Sequence, residues 1–264
     1  MSGLPDILER IIEVKRAEVA EASRKTREFE AIARGARPPR DFEAALRAPG
    51  LSVIAEVKKA SPSAGDIVPE GFVPAEIAGS YEAGGADAVS VLTDREFFKG
   101  APEHLRDAAS AVSIPVMRKD FIIAPCQIFE ARALGADSFL LIAAVLEGPE
   151  LVDLMELGRS IGMEPLVESH DADDLEKALS AGARIFGVNA RNLRTFEVDT
   201  LKAAKLAKDL PSDAVKVAES GVKTPSDASA AAAAGFDAIL VGETLARLSP
   251  AERRDAIQGF KGGA

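Results

Sequence analysis

From residue 51 onward, short apolar segments rich in β-branched residues alternate with longer segments of helical periodicity. The apolar segments predict eight strands, at 53–57, 88–92, 115–117, 138–142, 164–167, 185–188, 215–218 and 238–241. Strands that alternate with helices form a parallel sheet in which the helices are the crossovers. Eight such units in 264 residues favour a closed barrel, since a single barrel of this kind commonly has about 250 residues. The sequence therefore predicts an α/β protein with the (β/α)8 TIM barrel fold.

A helical extension precedes this alternation. Leucine and isoleucine recur at helical spacing and predict a helix over residues 4–23. Glycine and proline interrupt the pattern between residues 34 and 40, and a second short helix is predicted over 41–46. We expect residues 1–48 to form an N-terminal helical extension packed on the barrel, and residues 49–264 to form a single catalytic barrel domain. A partner-binding helix is the alternative for the extension.

Composition limits the expected partners and compartment. The net charge of −10 argues against nucleic acid and against an anionic membrane surface as partners. No apolar segment has the length of a membrane span, and the N-terminus lacks a signal-peptide core. The single cysteine, Cys126, excludes an intramolecular disulfide and is typical of a reducing compartment. We therefore expect a cytoplasmic protein.

Polar residues and glycines follow the predicted strands, at the end where barrel enzymes carry their functional groups. They include Glu56, Lys58, Lys119, Glu168, Asn189, Arg191, Glu219, Ser220, Gly221, Gly242 and Glu243. Two lysines and two glutamates among them predict acid–base chemistry, because burial and mutual proximity shift pKa values towards neutrality. These four are Lys58, Lys119, Glu56 and Glu168.

Side-chain alternation separates inward from outward groups on the strand that carries Lys119. Lys119 shares a strand face with Met117 and Phe121, which predicts that it points into the barrel. The neighbouring Arg118 and Asp120 are expected to face the helices and to form structural ion pairs.

The two histidines of the chain are predicted to be peripheral. His170 lies two residues after Glu168, where a rim or helix-capping position is expected. His104 lies on a predicted helix and is expected to be solvated.

The last two strand ends have the composition of a phosphate site. Segments 220–221 (Ser-Gly) and 242–244 (Gly-Glu-Thr) offer backbone N–H groups and small residues that let an anion approach. The loops after the seventh and eighth strands commonly bind phosphate in this fold. We therefore expect a phosphorylated small molecule as the substrate.

Seven segments together resemble one enzyme family. They are 54–63 (IAEVKKASPS), 91–100 (VLTDREFFKG), 115–122 (PVMRKDFI), 165–168 (PLVE), 187–193 (GVNARNL), 218–222 (AESGV) and 240–243 (LVGE). They cover, in order, all the strands predicted to carry chemistry, and the N-terminal extension fits as well. On these motifs the chain resembles indole-3-glycerol phosphate synthase, the barrel enzyme of tryptophan biosynthesis. Ala64 and Ala190 depart from the family pattern, and both lie outside the strand-end set.

The resemblance implies a carboxy-lyase reaction. It closes the ring of 1-(2-carboxyphenylamino)-1-deoxyribulose 5-phosphate to give indole-3-glycerol phosphate, with loss of CO2 and water. By the same resemblance Lys119 is the general acid, and Lys58 anchors the substrate carboxylate. Glu168 and Glu56 transfer protons in the dehydration half, with the division between them left open.

The resemblance also implies the remaining site residues. The catalytic set is Glu56, Lys58, Lys119, Glu168, Asn189 and Ser220, and the substrate-binding set is Ser61, Phe121, Leu140, Arg191, Leu193, Gly221, Gly242 and Glu243. In these sets Asn189 positions the hydroxyls, Arg191 steadies Glu56 or the substrate carboxylate, and Ser220 and Gly221 hold phosphate. Phe121, Leu140 and Leu193 wall the aryl ring. No metal or organic cofactor is implied, and other tryptophan-pathway enzymes are candidate partners.

Two other interpretations are kept as alternatives. A barrel of the phosphoribosylanthranilate isomerase type would share the phosphate site but would need a Cys/Asp acid–base pair at strand ends, for which Cys126 is misplaced. A non-catalytic barrel that binds a phosphate ligand would not need inward-pointing lysines and glutamates, because buried charges without a task are costly.

Overall fold

Eight parallel strands within the described part of the chain close into a barrel. The structure is a computed structural model, and it describes residues 6–68, 70–192 and 195–262. Its strands are β1 (Ser52–Val57), β2 (Ala60–Ser61), β3 (Gly65–Asp66), β4 (Ala88–Leu92), β5 (Val116–Lys119), β6 (Ser138–Ile142), β7 (Leu166–Ser169), β8 (Ile185–Asn189), β9 (Val215–Glu219) and β10 (Ala238–Val241). Strands β2 and β3 form an antiparallel hairpin, and the others close in the order β1-β10-β9-β8-β7-β6-β5-β4. The predicted (β/α)8 TIM barrel is confirmed.

Helices connect the barrel strands and also precede them. They are α1 (Asp6–Ala22), α2 (Thr26–Gly35), α3 (Phe42–Leu46), α4 (Pro74–Ala83), α5 (Pro102–Ala111), α6 (Pro125–Ala133), α7 (Gly148–Ser160), α8 (Ala172–Ser180), α9 (Thr200–Leu206), α10 (Pro225–Ala233), α11 (Glu243–Ala246) and α12 (Pro250–Gly262). Several begin with proline, whose missing N–H costs nothing in the first turn of a helix. Within the described residues, no helix is both long and apolar enough to cross a bilayer.

Four strands extend further at their C-terminal ends than their apolar segments predict, β8 and β9 by one residue and β5 and β7 by two. Strand β5 continues to Lys119, which pairs in register with Leu92 of β4. Strand β7 continues to Ser169, which pairs with Val188 of β8. The sheet ladder therefore reaches the polar residues, and Lys119 and Glu168 belong to rigid strand ends rather than to loops.

The barrel interior has its own apolar cluster, separate from the layer between strands and helices. Inward side chains such as Ile54, Met117 and Leu140 form it, and Phe42 and Leu46 of α3 join them. The start of β1 lies against α3, since the Ser52 hydroxyl is 3.3–3.4 Å from the Ala45 and Leu46 carbonyls. Helix α3 therefore closes the N-terminal end of the barrel.

The first two helices lie along the outside of the barrel. Helix α2 packs against α6, and the segment after it is fixed by Arg37 and Arg40, 2.9 and 2.8 Å from the two oxygens of Asp137. The sequence predicted the helices at α1 and α3 but no helix where α2 lies. The division into domains at residue 48 stays a prediction.

Candidate active site

Lys119, at the end of β5, lies between two glutamates from other strands. Its Nζ is 3.0 Å from Glu168 Oε2 at the end of β7 and 3.3 Å from Glu219 Oε2 at the end of β9. The lysine side chain is 15% exposed, and the two carboxylates are 4% and 2% exposed. Buried ionisable groups destabilise a protein unless they are paired. Here one ammonium group contacts two carboxyl groups, and such an arrangement is suited to proton transfer.

The three groups perturb one another's ionisation. Burial disfavours the charge on Lys119, but Glu168 and Glu219 outweigh it and raise the pKa of the ammonium. Burial also disfavours the charge on Glu168, yet Lys119 and His170 hold the pKa of this carboxyl well below its usual range. Burial raises the pKa of Glu219 to about 8, with Lys119 opposing the shift and Glu168 adding to it. The surroundings thus favour the charged forms of Lys119 and Glu168 and the protonated form of Glu219.

His170 contacts the other oxygen of Glu168. Its Nε2 lies 3.2 Å from Glu168 Oε1, and its side chain is 14% exposed. Its backbone N–H donates to Asp174 Oδ2 at 3.1 Å, as expected for a residue at a helix entry. The residue thus lies at the helix entry, as expected, and its ring in addition contacts Glu168, which was not predicted.

Glu56 and Lys58 form a second pair at the end of β1. Lys58 Nζ is 2.5 Å from Glu56 Oε1, and Glu56 is 2% exposed. Gly242, after β10, makes room for this pair, because a Cβ there would overlap Glu56 Oε1 and lie 3.3 Å from Lys58 Nζ. The Glu56–Lys58 pair therefore fits only if residue 242 has no side chain.

Asn189 and Ser220 join the ends of β8 and β9. The Ser220 hydroxyl donates to Asn189 Oδ1 at 2.9 Å, and the Arg191 backbone N–H donates to the same oxygen at 3.0 Å. Ser220 and Gly221 have φ values of +66° and +90°, a conformation that non-glycine residues rarely adopt. The Arg191 guanidinium donates to the carbonyl of Phe196 at 3.2 Å.

Glu243 lies at the start of α11, on the surface. Its carboxylate is 43% exposed and 2.9 Å from Arg247. The hydrogen bond from Arg247, with the nearby charges of Lys58 and Arg191, lowers its pKa. Its side chain is thus engaged outside the Lys119 cluster.

Phe121 and Leu140, two of the residues expected to hold the aryl ring, lie at an apolar patch. Leu140 is buried in the interior cluster, and Phe121 packs against that cluster. Phe98 faces Phe121 with ring centroids 6.0 Å apart.

Ser61, in β2, accepts a hydrogen bond from the Ala64 N–H at 3.1 Å. Leu193 lies outside the described residues.

The outward positions on β5 behave as predicted. Arg118 is 3.0 Å from Asp120 and 2.7 Å from Glu130 of α6, so these charges form structural ion pairs. His104 is half-buried rather than solvated, with its ring edge-on to Phe72 at 5.1 Å. Among the residues that the structure describes, no three or more His, Cys, Asp or Glu side chains are grouped so that they could hold a metal ion.

Sequence reasoning missed two residues of this site. Glu219 was recognised at a strand end but given no task, and Phe98 was not considered although it lies in the segment 91–100. Alternation could have found Glu219, because it shares a strand face with Val217 of the interior cluster. A Cβ at Gly187 would overlap Glu219 Oε1, so a neighbouring glycine provides the space for this carboxyl.

Comparisons with known proteins agree on one family. The sequence profile of the family described as "Indole-3-glycerol phosphate synthase" matches residues 8–258. A protein of that name from Mycolicibacterium gilvum is 51% identical over 245 residues, covering 92% of this chain and 90% of the relative. Another from Mycobacterium sp. (strain KMS) is 52% identical over 241 residues, covering 90% of this chain and 88% of the relative.

A solved structure shares the fold at low identity. The thiamine phosphate pyrophosphorylase of Pyrococcus furiosus superposes with a TM-score of 0.58 at 16% identity, covering 81% of this chain and 95% of that chain. At this identity the likeness concerns the barrel fold alone.

Proposed function

The chain belongs to the indole-3-glycerol phosphate synthase family, and from that premise we propose which of its residues perform the reaction. The family's enzyme is a carboxy-lyase of tryptophan biosynthesis that acts on a phosphorylated small molecule. Its reaction closes an indole ring with loss of CO2 and water. Such a reaction requires an acid for the ketone, a cation for the carboxylate and an acid–base pair for dehydration.

Lys119 is the general acid that protonates the ketone oxygen during ring closure. The observation that carries this assignment is its position between Glu168 and Glu219, at 3.0 and 3.3 Å. The two carboxyl groups keep the ammonium protonated and fix its direction, and a positioned acid contributes roughly 10²–10⁴-fold to a rate. After donation, the amine that remains lies next to the protonated Glu219.

Glu168 is the base of the dehydration half. It is the carboxylate of the cluster at neutral pH, since its pKa is low while that of Glu219 is raised to about 8. A base must be ionised to take a proton, so Glu168 rather than Glu219 suits that task. Glu219 in turn carries the proton that a leaving hydroxyl needs.

Lys58 anchors the substrate carboxylate. Its side chain is 18% exposed, more than any other of the four charged groups first expected to act here, so it is open to a ligand. The substrate carboxylate would share Lys58 with Glu56, which lies 2.5 Å away. As CO2 leaves, Glu56 remains to balance the charge of Lys58.

Phosphate binding is assigned to the turn after β9 and to the start of α11. Positive φ values at Ser220 and Gly221 resemble the concave backbone arrangements that bind anions through N–H groups. Gly242 and Glu243 are proposed to bind the phosphate through their backbone N–H groups rather than through a side chain. Asn189 then holds the sugar hydroxyls, while Arg191, on the same strand end, supports the substrate.

The aryl ring is assigned to the patch around Phe121 and Leu140, with Phe98 as an added wall. Leu193 keeps its expected place in this slot as a prediction. The isomerase alternative is disfavoured by Cys126, which is buried on α6 against the Ser23 hydroxyl at 3.6 Å rather than placed at a strand end. A non-catalytic barrel is disfavoured by the buried cluster of Lys119, Glu168 and Glu219, because a barrel without a reaction to perform would not need three buried ionisable groups.

For partners we propose a phosphorylated small molecule, with no nucleic acid or membrane surface. The net charge of −10 would repel polyanions. Other tryptophan-pathway enzymes remain the proposed protein partners.

A lysine substitution tests the assignment of the acid. In Lys119→Met we expect kcat for indole-3-glycerol phosphate formation, followed by ultraviolet absorbance, to fall by about a hundredfold or more. Substrate should still bind, because the phosphate and aryl contacts remain. The control is Lys216→Met, which removes a strand lysine that instead donates to the Ala207 carbonyl at 3.1 Å.

If Lys119→Met kept more than about a tenth of wild-type kcat, a positioned acid would have to be sought elsewhere. A fall of the same size in Lys216→Met would mean that lost packing, not lost acid, explains the result.

A further inference from the structure

We propose that His170 is a positioning residue that holds Glu168 as a carboxylate and keeps it directed at Lys119. The inference rests on the proposed function, because it gives His170 a task at the same site. It goes beyond that function because none of the assigned roles involves the imidazole.

The two oxygens of Glu168 have different partners, one at the end of β5 and one directly after β7. Oε2 is 3.0 Å from Lys119 Nζ, and Oε1 is 3.2 Å from His170 Nε2. A carboxylate held at both oxygens cannot rotate about its terminal bond without losing a contact. Because Glu168 is only 4% exposed, little bulk water reaches it to take the place of either partner.

A second carboxylate lies near the imidazole, at the start of α8. Its Nδ1 lies 3.7 Å from Asp174 Oδ2, and the same oxygen accepts the His170 backbone N–H at 3.1 Å. Asp174 is fixed in turn, since its backbone N–H donates to the helix-capping Asp171 at 3.0 Å. The entry of α8 thus fixes the backbone of His170 and places a negative charge near its ring.

The charges around His170 favour a cation. Glu168 faces it from β7 and Asp174 faces it from α8, and beyond Glu168 lie Lys119 of β5 and Glu219 of β9. Burial alone would lower the pKa of the imidazole, but the contacts with Asp174 and Glu168 raise it to about 10. Negative and positive groups therefore alternate in a line from Asp174 to Lys119.

This line has a consequence for the catalytic cycle. When Lys119 gives its proton to the substrate oxygen, it becomes a neutral amine and no longer stabilises the charge on Glu168. His170 is then the remaining cation in contact with that carboxylate. With His170 in place Glu168 stays ionised through the step and is ready to accept the proton removed in dehydration.

The protonation state of His170 is measurable directly because the chain has two histidines. In ¹⁵N-histidine NMR spectra, a His104→Gln variant assigns the two rings. We expect the His170 ring to be a cation at about pH 8, whereas the unperturbed group titrates near 6.5. The His104 ring should be neutral there, because burial and then Lys59 lower its pKa. A His170 ring that is neutral at that pH overturns the proposal.

The kinetic test uses His170→Gln and His170→Ala, with His104→Gln as the matched control. Loss of the cation lets the pKa of Glu168 rise, so the acidic limb of the kcat profile should move to higher pH by about one unit or more. The glutamine amide can still donate to Glu168, so kcat above the limb should be higher in His170→Gln than in His170→Ala. KM should change by less than about twofold in both, since substrate binding is not removed.

His104→Gln should leave the profile in place. A profile unchanged in both His170 variants overturns the proposal, as does a loss of kcat equal at all pH values, which indicates a purely structural role. An inactive wild-type protein would instead refute the proposed function, while the NMR spectra would still decide whether His170 is a cation.

Discussion

At the scale of single residues, Glu219 makes folding stability depend on pH. Its pKa in the folded protein is raised from an ordinary 4.5 to about 8, chiefly by burial. Between these values the unfolded chain has lost the proton while the folded protein keeps it. Stability therefore falls as pH rises through this window, and above it the full penalty is present.

A neutral substitute should remove that penalty. We expect Glu219→Gln to raise the melting temperature relative to wild type by more at about pH 9 than at about pH 5, because the amide never ionises. The same variant should lose roughly 10²-fold or more in kcat, since the amide cannot donate the proton assigned to Glu219. Thermal denaturation at the two pH values, with assays beside it, measures both effects.

The control for this prediction is Glu76→Gln, which changes an exposed glutamate of α4. Its melting temperature should follow wild type at both pH values. If Glu219→Gln behaved in the same way, Glu219 would be ionised in the folded protein at neutral pH.

Prediction from sequence succeeds for Glu219 only in part. The chain order shows that the residue ends a strand, but its partner Lys119 is on β5, which is not a neighbour of β9 in the barrel. The contact crosses the interior, so it depends on barrel closure and on the space left by Gly187. Likewise, nothing in the sequence decides whether the His170 ring points to solvent or to Glu168.

At the scale of elements, one lysine ties α1 to the strand that carries the general acid. Lys15 Nζ is 3.1 Å from Asp94, in the loop after β4, and 2.9 Å from Asp120, which directly follows Lys119. All three charged side chains are at most 2% exposed. Asp120 Oδ2 also accepts hydrogen bonds from Arg118 and Thr93. The first helix is therefore part of the support of β5.

Removing this lysine should be strongly destabilising. In Lys15→Met, Asp94 stays buried without its ammonium while Asp120 keeps only Arg118, and removing one partner of a buried pair costs about 3–5 kcal/mol. Urea denaturation should show a loss of that size in the free energy of unfolding. We also expect a lower kcat, because the end of β5 loses a fixed neighbour.

Lys25→Met serves as the matched control, since Lys25 is an exposed lysine of the same extension. It should change the free energy of unfolding by no more than about 0.5 kcal/mol. A loss for Lys15→Met within that range would show that the aspartates do not need the lysine.

The sequence predicts α1 but not this tether. Lys15 follows Ile11 by four residues and so continues the apolar face of the helix, where a charge requires a partner. The partner could not be named, because Asp94 and Asp120 lie in loops that only the folded barrel brings to one place. Strand positions were easier to predict, since their signal is local alternation of residue type.

At the scale of the whole molecule, the extension contacts both ends of the barrel. Helix α1 reaches the C-terminal ends of the strands through Lys15. Helix α3 closes the N-terminal end with Phe42 and Leu46, which are 2% and 0% exposed. The active site opens at the first of these ends only, so the two contacts have separable consequences.

Two truncations separate these consequences. A chain that starts at Thr26 loses α1 but keeps α3, whereas a chain that starts at Leu51 loses both. We expect both to fold as barrels, because the strands and their covering helices remain. Both should bind substrate more weakly, since the strand ends that carry the site lose the support of Lys15 and water enters a site that requires its exclusion.

The two chains should differ in stability. Loss of α3 uncovers the interior cluster and removes the burial of Phe42 and Leu46, worth about 1.5–3 kcal/mol for each side chain. The chain from Leu51 should therefore melt at a clearly lower temperature than the chain from Thr26. In the chain from Thr26, which lacks only α1 and the residues before Thr26, Asp94 and Asp120 become open to water. The loss of folding free energy from these two unpaired charges should therefore be smaller than in Lys15→Met, where the helix still covers them.

Circular dichroism melts of both truncated chains, together with KM measured where both are folded, test these expectations. Equal melting temperatures would contradict the role of α3 as a closing element, and a KM unchanged in both chains would leave the extension without a role at the mouth.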